Sequence, residues 1–551
     1  MGPIEISLAM LAAVVVSGVL VRVLPFAIPT PLVQIGLGAA IAAFSDHGVR
    51  LDPDIFFLLF LPPLLFLDGW RIPKEGLLRD KGIILELALG LVIFTVIGVG
   101  WFVHWMIPAM PLPVAFALAA IVSPTDPVAV SAITSRLPLP KRAMHVLEGE
   151  SLLNDASGLV CFRLAVAAAL TGTFSPPAAA LTFLQLALGG VAIGTGLTFV
   201  VMLGKNAIST RFGEESGAQV LISLLIPFAA YQAAEHAGGS GILAAVSAGI
   251  MMSYMELSGS ALGQTRMQRT AVWNTVQFAL NGVMFVLLGE QLPELLSSAA
   301  SAVQESNHVN PWWLAVYVLA INFALAALRF LWVWLRFSAL FARLSGAPAP
   351  KLSGGPGPNK PDVRLIAAIS VAGARGAITL AGVLTLPLTL NDGSPFPTRD
   401  LAIVLAAGVV VLSLLAASVS LPRLLKGLNM PDDSAHQAEE DRARVAAAEV
   451  AIRAIEQTMH DLAKGQGDAD LYAEAAIRAM DFYRRRIEGH QQTGENAVRL
   501  RQLDEIERRV RLAGVRAERE AIFALARGQD LSDAGSRKLV RELDLLEERL
   551  S

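Results

Sequence analysis

Apolar segments separated by short polar loops make up the chain as far as about residue 430. An α-helix needs roughly 20 apolar residues to cross the hydrocarbon core of a bilayer, and most of the segments are that long. We therefore predict an all-α polytopic membrane protein with about 13 transmembrane helices. The predicted spans, numbered in chain order, are 4–24, 31–44, 54–70, 82–107, 112–134, 144–171, 178–204, 217–235, 240–255, 272–291, 311–338, 363–387 and 400–425.

The charges of the loops support this count and orient the chain. If the N-terminus lies outside, the outer loops hold only two basic residues, Arg50 and Arg399. The loops on the cytoplasmic side then hold Arg71, Lys74, Arg79, Lys81, Arg136, Lys141, Arg142, Lys205, Arg211, Arg266, Arg269, Arg343, Lys351, Lys360 and Arg364. Because cytoplasmic loops are enriched in Lys and Arg, we predict an inner-membrane protein with its N-terminus outside and its C-terminus in the cytoplasm. The short segments 31–44 and 240–255 count as spans because omitting either would scramble this asymmetry.

An odd number of spans has a structural consequence. With span 7 as a linker, spans 1–6 begin outside and spans 8–13 begin inside. This is the inverted topology of many secondary transporters. We therefore predict two inverted six-helix repeats.

The chain changes character after residue 430. Residues 432–551 are rich in Ala, Glu, Arg and Leu and contain no apolar run of membrane length. Apolar residues at helical spacing, with opposite charges three or four positions apart, occur at 435–465, 468–490, 493–528 and 531–550. We predict a transmembrane domain at 1–430 and a helical cytoplasmic tail at 431–551. The tail is either a soluble appendage that supports a dimer or a regulatory sensor.

Composition agrees with a membrane protein. Of the 551 residues, 54% are hydrophobic and 17% are charged, whereas soluble domains carry about 25% charged residues; the mean hydropathy is +0.55. The net charge is −3 and no basic patch carries interleaved aromatics, so no nucleic-acid partner is expected. Cys161 is the single cysteine, which excludes an intrachain disulfide and a cysteine-rich metal site. No GxxxxGK[ST] loop is present, and we predict no cofactor.

Span 5 contains the sequence SPTDP at 123–127. Two prolines three residues apart remove backbone donors and disfavour helical geometry in the residues before them, so the helix should break here. Irregular backbone at membrane depth survives only where it is buried or lines a cavity. Its freed carbonyls can coordinate a cation, and Asp126 adds a negative charge beside them. The alternative is a proline kink in which Asp126 only caps the second half-helix.

Span 6 contains EGESLLND at 148–155. At helical spacing Glu150, Ser151, Asn154 and Asp155 share one face, and Gly158 on that face allows another element to approach closely. Oxygen-rich side chains of this kind suit a hard cation, and a buried carboxylate suits proton binding. The alternative is a buried polar patch that only satisfies neighbouring helices.

Buried carboxylates in spans 5 and 6 require compensating charge when no cation is bound. Two arginines fall inside predicted spans, Arg329 in span 11 and Arg375 in span 12. Span 3 supplies another acid, Asp68, after the sequence FLPPLLFL. Span 12 reads GARGA at 373–377, and its glycines permit an irregular backbone that would be the counterpart of broken span 5.

These motifs resemble those of a known family. FLPPLLFLDG, SPTDPVAV, EGESLLNDASGLV, FVLLGEQL and GARGAITLAG are similar to segments of the monovalent cation/proton antiporter-1 family, which includes bacterial sodium/proton antiporters and the animal sodium/proton exchangers. The resemblance covers roughly residues 5–428. It implies two inverted repeats with spans 5 and 12 broken and crossed, a mobile core domain, and a homodimer interface built largely from the other helices.

The resemblance also implies roles for single residues. Asp155 would be the carboxylate that binds a sodium ion or a proton alternately, with Asp126, the backbone carbonyl of Thr125 and Ser151 as further ion ligands. Glu150 and Asn154 would orient these ligands, and an Asn-Asp pair at 154–155 marks electroneutral exchange in the family.

Two structural ion pairs are implied as well, Glu150 with Arg329 and Asp68 with Arg375. This sequence departs from the animal exchangers at Asn281, where they carry a Glu, so no role is transferred to that position.

The expected activity is therefore secondary active exchange of sodium or lithium ions for protons, in pH and sodium homeostasis. A potassium/proton antiporter of the same fold remains an alternative. A cation channel would lack coupling between the two ions. An enzyme is disfavoured because the sequence offers no nucleophile–base pairing and no HExxH motif.

Overall fold

The computed structural model describes a nearly all-helical protein. The described residues are 3–23, 29–44, 53–72, 81–126, 141–172, 176–256, 262–304, 310, 312–344, 363–426, 434–463, 469–491, 495–528 and 531–550. Contacts divide the chain into two compact units, Met1–Met430 and Pro431–Ser551. The second half of predicted span 5 (127–134) and the loop charges Arg50, Lys74, Arg79, Arg136, Lys351 and Lys360 lie outside the described residues.

The helices of the first unit follow the predicted apolar segments. They are α1 Pro3–Val23, α2 Thr30–Phe44, α3 Pro53–Arg71, α4 Lys81–Met106 with a π-helical turn at Glu86–Leu91, α5 Leu112–Val122, α6 Lys141–Thr171, α7 Pro176–Phe212, α8 Ser216–His236, α9 Gly241–Glu256, α10 Gly263–Gln304, α11 Trp312–Leu344, α12 Val363–Val371, α13 Ala377–Leu384 and α14 Arg399–Leu425.

Many of these helices suit a bilayer. Among the described residues, 8 helices are long and apolar enough to cross a membrane, and α2, α5 and α9 supply shorter apolar helices. Helix α3 and the two halves of span 12, α12 and α13, are not among them, so the predicted number of about 13 spans is not confirmed. The all-α membrane fold itself is confirmed.

The helices of the first unit pack as two bundles. In the first bundle α2 lies along α10, and α9 packs against α3, α7 and α8, with α1 against α2 and α10. In the second bundle α5 packs between α4 and α6, and α14 packs against α11, α12 and α13. The bundles meet mainly where α3 and α10 face α6, α13 and α14. This boundary matters because the candidate site lies on it.

Reciprocal glycines bring helix backbones together inside the first bundle. A Cβ on Gly38 of α2 would lie 1.9 Å from the carbonyl oxygen of Val286 in α10, and a Cβ on Gly289 of α10 would lie 1.9 Å from that of Ile35 in α2. Close backbone approach through small residues is the usual way in which membrane helices associate, since lipid tails give no hydrophobic driving force between them. The α2–α10 contact therefore depends on the absence of these side chains.

The second unit is built from four helices, α15 Ser434–Ala463, α16 Ala469–Gln491, α17 Glu495–Arg527 and α18 Asp533–Leu550. Helix α15 packs with α16, and α17 packs with α18 around Val515, Ile522 and Leu543. Ion pairs three or four residues apart, such as Glu505 with Arg509, run along the helix surfaces. Apolar periodicity gave these four helices nearly the bounds that the structure has.

We predict that Gly38→Ala destabilises the protein, because its new methyl group would overlap the backbone of α10. Overpacking of a tight interior costs about 1–3 kcal/mol. The matched control is Gly36→Ala in the same helix, where nothing lies within 4 Å of the added Cβ. The detergent-solubilised variants are heated, and the folded protein that remains at each temperature is measured by size-exclusion chromatography. The midpoint temperature of unfolding should be lower for Gly38→Ala only. Equal midpoints would contradict the close contact.

Candidate functional site

Helix α5 ends beside the place where predicted span 12 is interrupted. Helix α5 ends at Val122, and the backbone at 123–126 is not helical. Helix α12 ends at Val371 and α13 begins at Ala377, with non-helical backbone at 373–376 between them that is extended at Gly376. Both breaks occur where prolines or glycines were expected to cause them. In each predicted repeat the broken helix is the fifth.

The two breaks touch through their backbones. The amide of Asp126 donates a hydrogen bond to the carbonyl oxygen of Ala374, with an N–O distance of 2.8 Å. At Gly376 a Cβ would lie 2.4 Å from Oδ2 of Asp126, so only glycine lets the segment pass the carboxylate. The interrupted segments therefore satisfy part of each other's hydrogen-bonding potential, as buried backbone must.

A cavity of about 40 Å³ lies beside this contact, on the boundary between the bundles. Its volume is enough for a few water molecules. The second bundle contributes Pro124, Thr125, Asp126, Ser151, Asp155, Gly376, Ile378 and Thr379, and the first contributes Leu64, Asp68, Gln277, Asn281, Met284 and Phe285. Three of these lining residues are acidic and none is basic, so the cavity is suited to a cation.

Asp155 is the most buried of the three carboxylates, with 8% of the residue exposed. Among the described residues none donates a hydrogen bond to it or forms an ion pair with it. A buried carboxylate without a partner is costly when ionised. Its charge is balanced only by a proton or by a cation that enters the cavity.

Thr125, just after the end of α5, contacts the turn of α6 that precedes Asp155. Ser151 donates its hydroxyl to the carbonyl oxygen of Thr125 at 2.6 Å, and Nδ2 of Asn154 donates to Oγ1 of Thr125 at 3.0 Å. Because a carbonyl oxygen has two lone pairs, Thr125 retains one for an ion. Asn154 is not among the lining residues, and its hydrogen bond holds the side chain of Thr125, a residue that does line the cavity.

Glu150 and Arg329 form a buried bidentate ion pair between α6 and α11. The guanidinium nitrogens lie 2.5 and 2.8 Å from the two carboxylate oxygens, and the residues are 1% and 4% exposed. Nε of Arg329 also donates to the carbonyl oxygen of Ile369 in α12. Planar two-point contacts of this kind are the strongest ion pairs in proteins. The structure thus brings together the first of the two predicted pairs and links α6, α11 and α12.

The second predicted pair, Asp68 with Arg375, is not formed. Arg375 donates instead to the carbonyl oxygens of Val122 and Gly373, at 3.0 and 2.5 Å, and its backbone amide donates to Ser413. The reason is that the ends of two interrupted helices leave carbonyl groups without amide partners, and a guanidinium can satisfy several of them. Asp68 lines the cavity with Asp126 and Asp155.

Some lining residues were not among the predicted site residues. Gln277 and Asn281 face the carboxylates from α10, and Thr379 does so from α13. The spacing of Gln277 and Asn281, one helical turn apart in an otherwise apolar stretch, is a signal that could have found them. Thr379 has no such signal, because its placement depends on the break of span 12.

Sequence comparison connects the chain to known proteins. The family model described as "Sodium/hydrogen exchanger, transmembrane" matches residues 9–427. A protein of Escherichia coli (strain K12), "Uncharacterized Na(+)/H(+) exchanger YjcE", is 40% identical over 98% of this chain and 97% of its own length. The "Sodium, potassium, lithium and rubidium/H(+) antiporter" of Bacillus pumilus (strain SAFR-032) is 38% identical over 98% of this chain and 77% of its own length.

Structural comparison supports the fold. The sodium proton antiporter MjNhaP1 from Methanocaldococcus jannaschii, solved at pH 8, superposes with a TM-score of 0.53 and 16% sequence identity. The match covers 77% of this chain and 99% of that chain. The alignments with the two sequence relatives, by contrast, cover 98% of the chain and so include most of the tail at 431–551.

We predict that Arg329→Met strands the Glu150 carboxylate and destabilises the fold by about 3–5 kcal/mol, the usual result of removing one partner of a buried pair. Glu150→Met should destabilise as well. The double variant should be more stable than either single variant, since well-packed apolar residues replace a buried ion pair at little net cost. Thermal unfolding of the four purified proteins measures this cycle. Additive losses would contradict a direct pairing.

Proposed function

The chain belongs to the sodium/hydrogen exchanger family, and we propose that the cavity on the boundary of the two bundles is where it exchanges sodium ions for protons. The protein is a membrane antiporter and not an enzyme. The observation that supports the site is the convergence of Asp68, Asp126 and Asp155 on one cavity whose described lining residues include no basic one. The family expectation for Asp126 and Asp155 agrees with this proposal.

Competition for Asp155 is the proposed mechanism. A sodium ion that enters the cavity takes oxygen ligands from the carboxylates of Asp155 and Asp126, the carbonyl of Thr125 and the hydroxyl of Ser151. Hard cations prefer such ligands. When the ion leaves, a proton binds the same carboxylate. One site cannot hold both, so binding of one ion releases the other.

The cost of burying charge supplies the gate for movement between the two sides of the membrane. Ionised side chains are costly within a bilayer, so a site loaded with a proton or a sodium ion reorients more readily than an empty, charged site. Asp126 and Asp155 lie in the second bundle and Asp68 lies in the first. Relative movement of the bundles would therefore carry the loaded pair of carboxylates away from Asp68.

The groups around the carboxylates hold this geometry. Glu150 and Arg329 tie α6 to α11 and compensate each other, so that Glu150 adds no net charge to the site. Asn154 fixes Thr125 and is neutral. Exchange of one sodium ion for one proton moves no net charge. This stoichiometry agrees with the neutral residue at 154 beside Asp155, because the Asn-Asp pair marks electroneutral exchange in the family.

The range of cations follows from the same ligands. Oxygen ligands alone do not exclude lithium or potassium, and the Bacillus pumilus relative is named for sodium, potassium, lithium and rubidium. We propose sodium as the principal substrate with potassium as the alternative. The responses of vesicles to the separate cations distinguish the two.

The remaining parts of the proposal concern the cell. We propose a homodimer in the inner membrane with the N-terminus outside and the tail, 431–551, in the cytoplasm. Its role there is pH and sodium homeostasis. The basic residues of the predicted cytoplasmic loops support the orientation, and the family resemblance supports the dimer.

We predict that Asp155→Asn abolishes exchange, because an amide can neither release a proton nor give a sodium ion a charged ligand. Everted vesicles from cells lacking their own antiporters are energised to an acid interior, and a fluorescent pH probe records the response to sodium, lithium or potassium. The matched control is Asp400→Asn, an exposed carboxylate whose side chain is 62% accessible at the start of α14. This control should retain wild-type exchange.

Three results bear on the proposal. Sodium-driven alkalinisation that is lost in Asp155→Asn and kept in Asp400→Asn supports it. A response to potassium alone would keep the site and change the substrate. Undiminished exchange by Asp155→Asn, or no response of the wild type to any of the three cations between pH 6 and pH 9, would contradict it.

A further inference from the structure

Arg71 is a basic residue held beside the acidic cavity by neutral partners. It ends α3, and its side chain crosses to α10, where NH1 donates to Oε1 of Gln277 at 2.6 Å and NH2 donates to Oδ1 of Asn274 at 2.5 Å. The two acceptors lie three residues apart on one face of α10. Two bonds from one planar group fix the position of its charge, whereas a free surface arginine would move it among many rotamers.

Two independent observations place the guanidinium of Arg71 next to the cavity. Gln277, which accepts one of the two hydrogen bonds, is itself a lining residue. Asp68, another lining residue, precedes Arg71 by three residues in α3, and its charge acts on the guanidinium. Arg71 does not line the cavity, and its side chain is exposed. The guanidinium therefore lies at the rim of the cavity, one helical turn from Asp68.

We propose that Arg71 is a fixed positive charge at the rim that sets the affinity of the cavity for sodium. This rests on the proposed function of the cavity. The charge of Arg71 opposes any cation that approaches Asp68, Asp126 and Asp155, and it offsets part of their mutual repulsion while the cavity is empty. Both effects weaken sodium binding. An antiporter needs weak binding as well as selective binding, because each ion must leave again on the other side.

The size of the effect follows from Coulomb's law. A unit charge about 7 Å from a bound ion, in an environment between that of a protein surface and water, changes the affinity roughly three- to tenfold. Because the guanidinium is exposed, salt screening places the value near the lower end. Removal of the charge should therefore lower the KM for sodium and should not raise the maximal rate.

The experiment separates the charge from the hydrogen bonds. Arg71→Gln removes the charge and keeps a polar side chain, whereas Arg71→Lys keeps the charge and loses the two-point contact. Sodium-dependent exchange is measured in proteoliposomes at a pH high enough that protons do not compete. We expect a KM about three- to tenfold lower for Arg71→Gln and near the wild-type value for Arg71→Lys. Arg211→Gln, which removes a comparably exposed charge at the end of α7, is the matched control and should leave KM unchanged.

A second form of the experiment places the charge after the protein has folded. Cys161 is the only cysteine, so Cys161→Ala combined with Arg71→Cys leaves one thiol, at an exposed position. One sample of this protein receives a methanethiosulfonate reagent with a trimethylammonium group, and another receives one with a sulfonate group. The KM for sodium should be higher with the positive group than with the negative group, although both samples have the same sequence and neither group can donate the hydrogen bonds of the arginine.

The proposal is overturned by any of three results. The first is an unchanged or raised KM in Arg71→Gln. The second is an equal KM decrease in Arg71→Lys, which would assign the effect to the hydrogen bonds. The third is an equal KM with both reagents. Asp155→Asn in the same proteoliposomes distinguishes failure of the proposed site from failure of the proposed role of Arg71. Exchange retained by Asp155→Asn would refute the proposed site. An inactive Asp155→Asn together with an unchanged KM in Arg71→Gln would refute only the role of Arg71.

Discussion

Unsatisfied backbone at the two helix breaks is the constraint on which the second bundle depends. A break at membrane depth leaves carbonyl and amide groups that water cannot reach freely, and each such group is costly. The amide of Asp126 donates to the carbonyl of Ala374 where the breaks touch, and Arg375 donates to Val122 and Gly373. Ser151 donates to Thr125. The polar residues around the breaks are therefore needed for the fold before they have any role in transport.

The same constraint explains how the charges are divided. Arg329 pairs with Glu150, and Arg375 donates its hydrogen bonds to carbonyl groups at the helix breaks. Neither arginine remains to neutralise Asp155, so that carboxylate depends on a mobile ion. In this arrangement the structural charges have fixed partners, whereas the partner of the proposed transport site is an exchangeable ion. Arg71 is intermediate, since neutral amides hold it and its proposed effect on the cavity is electrostatic, without direct contact.

Much of this architecture is encoded locally. Prolines in SPTDP and glycines in GARGA fix where spans 5 and 12 break, because backbone conformation is restricted by the residue itself and its neighbour. Hydrophobic length and loop charge gave the order of the helices, and helical spacing placed Glu150, Ser151, Asn154 and Asp155 on one face. The sequence alone thus determined the all-α membrane fold, its family and the acidic residues of spans 5 and 6.

Only the tertiary structure decided the partners. Asp68 and Arg375 are opposite charges in two of the motifs shared with the family, and the resemblance implied that they pair. In the structure the contact of the two breaks places unpaired carbonyls within reach of Arg375, and this depends on contacts between residues some 250 positions apart, such as Val122 and Arg375. Gln277, Asn281 and Thr379 joined the cavity for the same reason. Local sequence sets where a helix breaks, whereas the packing of distant segments sets which groups meet there.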